Sequence, residues 1–103
     1  MISFRHTGSG ENVVLLHGLF GMGANLSGLS RALSSDFSVY RVDLPDHGDS
    51  AWLPHRDISI YAEVLLGWMD EFSLRKCHLL GHSLGGKIAM QLALREPQRF
   101  ESL

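Results

Sequence analysis

The residues Gly81-His82-Ser83-Leu84-Gly85, followed by Gly86, set a serine between glycines where an apolar run meets a helix-periodic segment. A strand that turns straight into a helix forces the residue at the turn into a strained backbone, and its side chain then projects clear of the sheet. Glycines two residues before and two after, Gly81 and Gly85, remove Cβ atoms that would crowd that turn. Ser83 is therefore expected at a helix N-terminus, where free N–H groups and the positive dipole end favour developing negative charge. That is the position of a nucleophile. A glycine-rich turn with an incidental serine would carry the same five residues, but the strand before and the helix after favour the nucleophile.

Attack of a serine on a carbonyl builds an oxyanion, which needs two preorganised backbone N–H donors. One comes from the residue after the nucleophile, Leu84. The other must come from a loop at the same sheet edge, and His17-Gly18-Leu19-Phe20-Gly21 follows a buried strand there. The second donor is assigned to Leu19, with Phe20 as the alternative. Phe20, Met22 and His82 are then expected to line the substrate pocket. His17 is read as a buried residue satisfied by backbone hydrogen bonds, not as a general base. His47 and Asp49 are read as fixing a turn, His78 as structural, and Cys77 as a small buried hydrophobe. Lys87 reads as a solvated or ion-paired residue, and Trp52 and Trp68 as cap or core aromatics. The six histidines show no paired ligand spacing, so no metal site is expected, and attack by a serine needs no cofactor. Gly86-Lys87 is followed by Ile88, where a phosphate-cradling loop needs Ser or Thr.

Positioning these residues requires an alternation of strands and helices. Residues 3–7 alternate weakly, as an edge strand would, and 12–16 (NVVLL) form a run suited to burial on both faces. Leu26, Leu29 and Leu33 fall on one face of a helix over 25–35, which Gly28 weakens. A strand is expected at 37–43, then a turn-rich loop continuing through Pro54 to about Asp57. Tyr61, Val64, Leu65, Trp68 and Phe72 set a helix over 59–72, capped by Asp57 or Ser59. A core strand at 75–80 leads into the Ser83 turn and a helix over 84–96, stopped by Pro97. Residues 99–103 look like the approach to another strand that never arrives. Strands separated by helices imply crossovers, hence α/β class with a doubly wound, mostly parallel sheet.

Three segments resemble motifs of the α/β-hydrolase superfamily. His17-Gly18-Leu19-Phe20-Gly21 resembles its HG oxyanion loop. Asp43-Leu44-Pro45-Asp46-His47-Gly48-Asp49-Ser50 is similar to its D-x-P-G-H-G-x-S segment, with Asp46 departing from it. Gly81 to Lys87 resembles its nucleophile elbow, most like that of small bacterial serine esterases. The resemblance implies a serine-dependent hydrolase of acyl esters or thioesters that works through an acyl-enzyme. Ser83 in place of Asp argues against the haloalkane dehalogenase and epoxide hydrolase branches. The family's order is Ser, then Asp or Glu, then His. Only twenty residues follow Ser83, none of them histidine, and Glu96 and Glu101 are poor acid candidates. The expectation is thus residues 1–103 as the N-terminal half of such a fold, truncated after the elbow helix, without lid or C-terminal strands, and with little activity alone. A non-catalytic binding module of this fold is the rival reading, and a C–C bond hydrolase or lyase the second.

Composition bounds the rest. With 103 residues, 45% hydrophobic and 19% charged, the chain is one small globular domain. Nine Lys and Arg against eleven Asp and Glu give no basic footprint for nucleic acid. No apolar run reaches the ~20 residues of a membrane span. With a single cysteine and no secretory stretch, a cytoplasmic location is expected. If the strand over 75–80 is a bare edge, the chain alone should be marginal: aggregated, partly molten, or self-associated through that edge.

Overall fold

The computed structural model describes residues 1–53 and 57–103. Five strands and three helices alternate: β1 (Phe4–Thr7), β2 (Glu11–Leu16), α1 (Ser27–Leu33), β3 (Phe37–Val42), α2 (Ile58–Glu71), β4 (Cys77–Gly81), α3 (Leu84–Arg95) and β5 (Phe100–Ser102). The sheet order is β1-β3-β2-β4-β5, with only β1 antiparallel to its neighbour. This is the α/β, mostly parallel architecture that the alternation implied.

Burial on both sheet faces shows why the strands read as continuous apolar runs. On β2, Val13 and Leu15 join Val39, Leu26, Leu29 and Leu33 beneath α1. The alternate residues Val14 and Leu16 join Leu65, Trp68, Ile88 and Leu92 beneath α2 and α3. The period of two along β2 thus sends successive side chains into two cores, and the sheet is doubly wound.

Four differences from the sequence reading have a structural cause. Residues 23–26 form a 3-10 turn, Gly23–Leu26, before α1; the Gly23 N–H donates to Asp43 Oδ1 at 2.7 Å, which fixes the chain before the helix can start. β4 begins at Cys77 rather than at 75, because Cys77 is where pairing with β5 starts. α2 starts at Ile58 rather than at 59, because of the two caps offered it is Asp57 that serves, its Oδ1 accepting the Ile60 N–H at 2.8 Å. The expected loop through Pro54 lies partly outside the described residues.

The fourth difference is a correction. The strand expected never to arrive is present: after a 3-10 turn at Pro97–Arg99, β5 pairs in parallel with β4, Cys77 against Phe100 and His78 against Ser102. Arg99 holds it in place, with Nη1 on Asp70 Oδ1 and Nη2 donating to Leu74 O, both at 2.7 Å. β4 is therefore not a bare edge at its start. Beyond His78, no strand among the described residues pairs with its free side.

Candidate active site

β4 ends at Gly81 and α3 begins at Leu84, so two residues make the turn. Ser83 sits at φ 57°, ψ −115°, a conformation that costs a residue with a side chain about 1–3 kcal/mol. Its surroundings impose it. The His82 N–H donates to Leu16 O at 3.0 Å, and the Gly85 N–H closes on His82 O at 3.0 Å. A Cβ on Gly81 would lie 2.3 Å from Gly85 O, so glycine there opens the turn itself. Gly85 acts elsewhere: its Cβ would lie 2.3 Å from Leu16 O and 2.6 Å from His17 O. It lets α3 start directly against the end of β2. The Ser83 hydroxyl makes no capping bond to α3 and is exposed.

The loop after β2 lies over this turn. A Cβ on Gly18 would come 3.1 Å from His82 Nδ1 and 3.4 Å from Ser83 Cβ. The Leu84 N–H is the first of α3, and such groups have no partner within the helix. Among the described residues, neither it nor the Leu19 N–H meets an acceptor. The alternative donor is committed: the Phe20 N–H is donated to His47 Nε2 at 3.0 Å.

His17 is buried, and both its nitrogens are used, as the sequence reading held. Nδ1 bonds Gly18 O at 2.7 Å, and Nε2 accepts the Leu44 N–H at 3.0 Å. Because a backbone N–H can only donate, Nε2 carries no proton and Nδ1 does. Burial lowers its pKa below 6.5; the Gly18 carbonyl opposes this, His47 reinforces it and Asp43 opposes it. His47 bonds Pro45 O through Nδ1 at 3.0 Å, so its ring has the same tautomer. Asp43 organises the rest of the loop. Its Oδ2 accepts the Asp49 N–H at 2.9 Å, and the left-handed Gly48, at φ 50°, leaves room for the carboxylate.

Asp46, the departure from the family pattern, occupies a left-handed position at φ 68°. A glycine would suit that backbone; Asp tolerates it better than most residues. Its carboxylate is used: Oδ1 accepts the Leu53 N–H at 2.6 Å and Oδ2 the Tyr61 hydroxyl at 2.7 Å. The negative charge thus ties the loop to α2. Phe20 and Met22 border a cavity of about 360 Å³ with Leu19, Asp46, Trp52 and Tyr61. His82 does not line it and stands exposed beside Ser83. Elsewhere, Cys77 is buried, with its thiol pushed up to about 12 chiefly by desolvation. His78 bonds Ser102 Oγ at 2.7 Å and Glu11 Oε1 at 2.8 Å. Trp68 is core, whereas Trp52 is exposed.

A mostly parallel, doubly wound sheet with a strained serine at a strand-to-helix turn defines a class. The sequence model of the alpha/beta hydrolase fold matches residues 11–103, and the chain belongs to that family. It is 42% identical over 106 residues to a pimeloyl-[acyl-carrier protein] methyl ester esterase of Aeromonas salmonicida, covering 99% of this chain and 39% of that protein. It is 40% identical over 93 residues to an sn-1-specific diacylglycerol lipase of Mus musculus, covering 88% and 30%. A solved marine microorganism esterase superposes with a TM-score of 0.94 at 34% identity, covering 96% of this chain and 38% of that one. The chain spans about two-fifths or less of each of these relatives' lengths. Among the described residues, no helix is long and apolar enough to cross a membrane.

Proposed function

We propose that this chain carries the nucleophile and oxyanion donors of a serine hydrolase acting on carboxylic esters or thioesters. Ser83 Oγ attacks the carbonyl carbon and gives its proton to a base. The carbonyl π pair moves to oxygen, where the Leu19 and Leu84 N–H groups receive it. Collapse expels the alcohol or thiol, which takes up a proton and leaves an acyl-Ser83. Water then attacks this ester, restoring Ser83 and releasing the acid. His17 and His47 do not serve as the base, since each spends both nitrogens on backbone groups. The observation that carries the reading is the left-handed Ser83 at φ 57° with its hydroxyl uncommitted to the helix. The relatives named as an esterase and a lipase support the same bond class.

The test is covalent labelling by a fluorophosphonate. Ser83 should be the only serine modified, as read by peptide mass spectrometry. The rate should be slow, because general-base activation is worth roughly 10²–10⁴-fold. Labelling that persists undiminished in Ser83→Ala would remove the assignment.

A further inference from the structure

We propose that His47 is a positioning residue of the oxyanion loop: by taking the Phe20 N–H, it fixes Leu19 as the backbone donor presented beside Ser83. This rests on the serine-hydrolase reading above for its chemistry, but its geometry stands independently. The two loops that flank the candidate site exchange histidines. His17, from the loop after β2, accepts the Leu44 N–H of the loop after β3. His47, from the loop after β3, accepts the Phe20 N–H of the loop after β2. Each ring anchors itself through Nδ1 on a carbonyl of its own loop, Gly18 O and Pro45 O. The ring centroids are 5.1 Å apart at 57°, so the two clamps pack against each other.

The Phe20 clamp matters because little else holds that residue. The residue is 91% exposed, so packing does not fix it. Its backbone is left-handed at φ 62°, which a phenylalanine does not adopt without restraint. The Gly21 N–H to Gly18 O bond at 3.0 Å closes the loop around Leu19 and Phe20 but leaves both their N–H groups outside that bond. The bond to His47 engages the second of these and leaves the first unengaged. Without an acceptor at His47, the Leu19–Phe20 peptide is free to turn, and the released Phe20 N–H then competes with the Leu19 N–H as the donor that this loop offers.

The experiment compares the 103-residue chain with His47→Gln and His47→Leu. Glutamine reaches the Nε2 position with an amide oxygen, an acceptor; leucine fills similar space with none. Amide hydrogen exchange of Phe20, read by NMR, should be as slow in His47→Gln as in the parent and roughly tenfold or more faster in His47→Leu. The Leu44 amide, held by His17, should stay protected in all three, which certifies the fold. The rate of fluorophosphonate labelling at Ser83 should fall about tenfold or more in His47→Leu and recover in His47→Gln, in line with the weight of one oxyanion donor. Unchanged Phe20 exchange in His47→Leu overturns the clamp. Faster exchange with an unchanged labelling rate overturns the positioning role. If Leu44 protection collapses as well, the wild-type chain decides: a through-bond ¹⁵N–¹⁵N coupling between Phe20 N and His47 Nε2 supports the clamp, and its absence overturns it. Failure of the parent to label at Ser83 counts against the hydrolase reading, while the exchange data still judge the clamp.

Discussion

The imidazole of His17 is buried, yet it belongs to a residue type whose charge changes near neutrality. Its burial and its acceptor role toward Leu44 both require the neutral form. Since burial holds its folded pKa below 6.5, the unfolded chain binds a proton here at mildly acidic pH that the folded chain resists. Stability should therefore be level above pH 6.5 as far as this residue is concerned. It should fall as pH drops from there toward the folded pKa. His17→Gln keeps an acceptor for Leu44 but does not titrate. The urea midpoint should consequently fall less between pH 6.5 and about 5 in His17→Gln than in the parent. Equal slopes would show that His17 does not carry this linkage. At this scale the sequence was informative wherever one residue's own backbone sets the requirement. Gly81 and the strained turn at Ser83 could be read from local spacing. The histidine exchange could not, because Phe20 and His47 lie 27 positions apart and meet only when two loops dock. Nor could the use of Asp46: its charge was visible, whereas its partners Leu53 and Tyr61 come from the loop's end and from α2.

At the level of elements, the glycines in helices divide sharply. Gly85 lies on α3 where the helix meets β2, and an added Cβ would overlap the Leu16 and His17 carbonyls. The helix would have to lift, which strains the His82 N–H to Leu16 O bond at the turn. Gly67 lies in the middle of α2, is exposed, and has nothing within 4 Å of an added Cβ. One pair of urea titrations separates them: Gly85→Ala should lose roughly 1–3 kcal/mol by overpacking, and Gly67→Ala should gain up to about 1 kcal/mol from helix propensity. Equal effects at the two sites would refute the contact between α3 and β2. The same contrast explains which elements were legible. β2 and β3 announce themselves by apolar residues that two cores require. β5 has one partly buried residue among three, Phe100, and owes its strand state to pairing with β4 and to the Arg99 anchor. No three-residue window carries that information.

At the scale of the molecule, the described residues form an apolar groove of about 590 Å³, lined in part by Val13, Phe37, Leu80, Ala89, Met90 and Leu103. It opens where β4 runs on past its short pairing with β5. Met90, Leu94 and Leu103 are each more than half exposed nearby or on the same helix. An apolar surface of this kind binds hydrophobic dyes, and so does a molten state, so dye binding alone decides nothing about packing. Cys77 supplies the discriminating measurement. It is buried in the core beneath α2 and α3 and does not line the groove, and its thiol is pushed up to about 12, so a thiol reagent reaches a reactive thiolate only when that core opens. The expected outcome is that the 103-residue chain binds an anilinonaphthalene dye at neutral pH while Cys77 stays unreactive until denaturant is added. Met90→Lys should reduce the dye signal without exposing the thiol. A thiol that reacts at the rate of the unfolded chain would instead mark the domain as molten. That result would make the groove a symptom of loose packing rather than a surface of a folded unit.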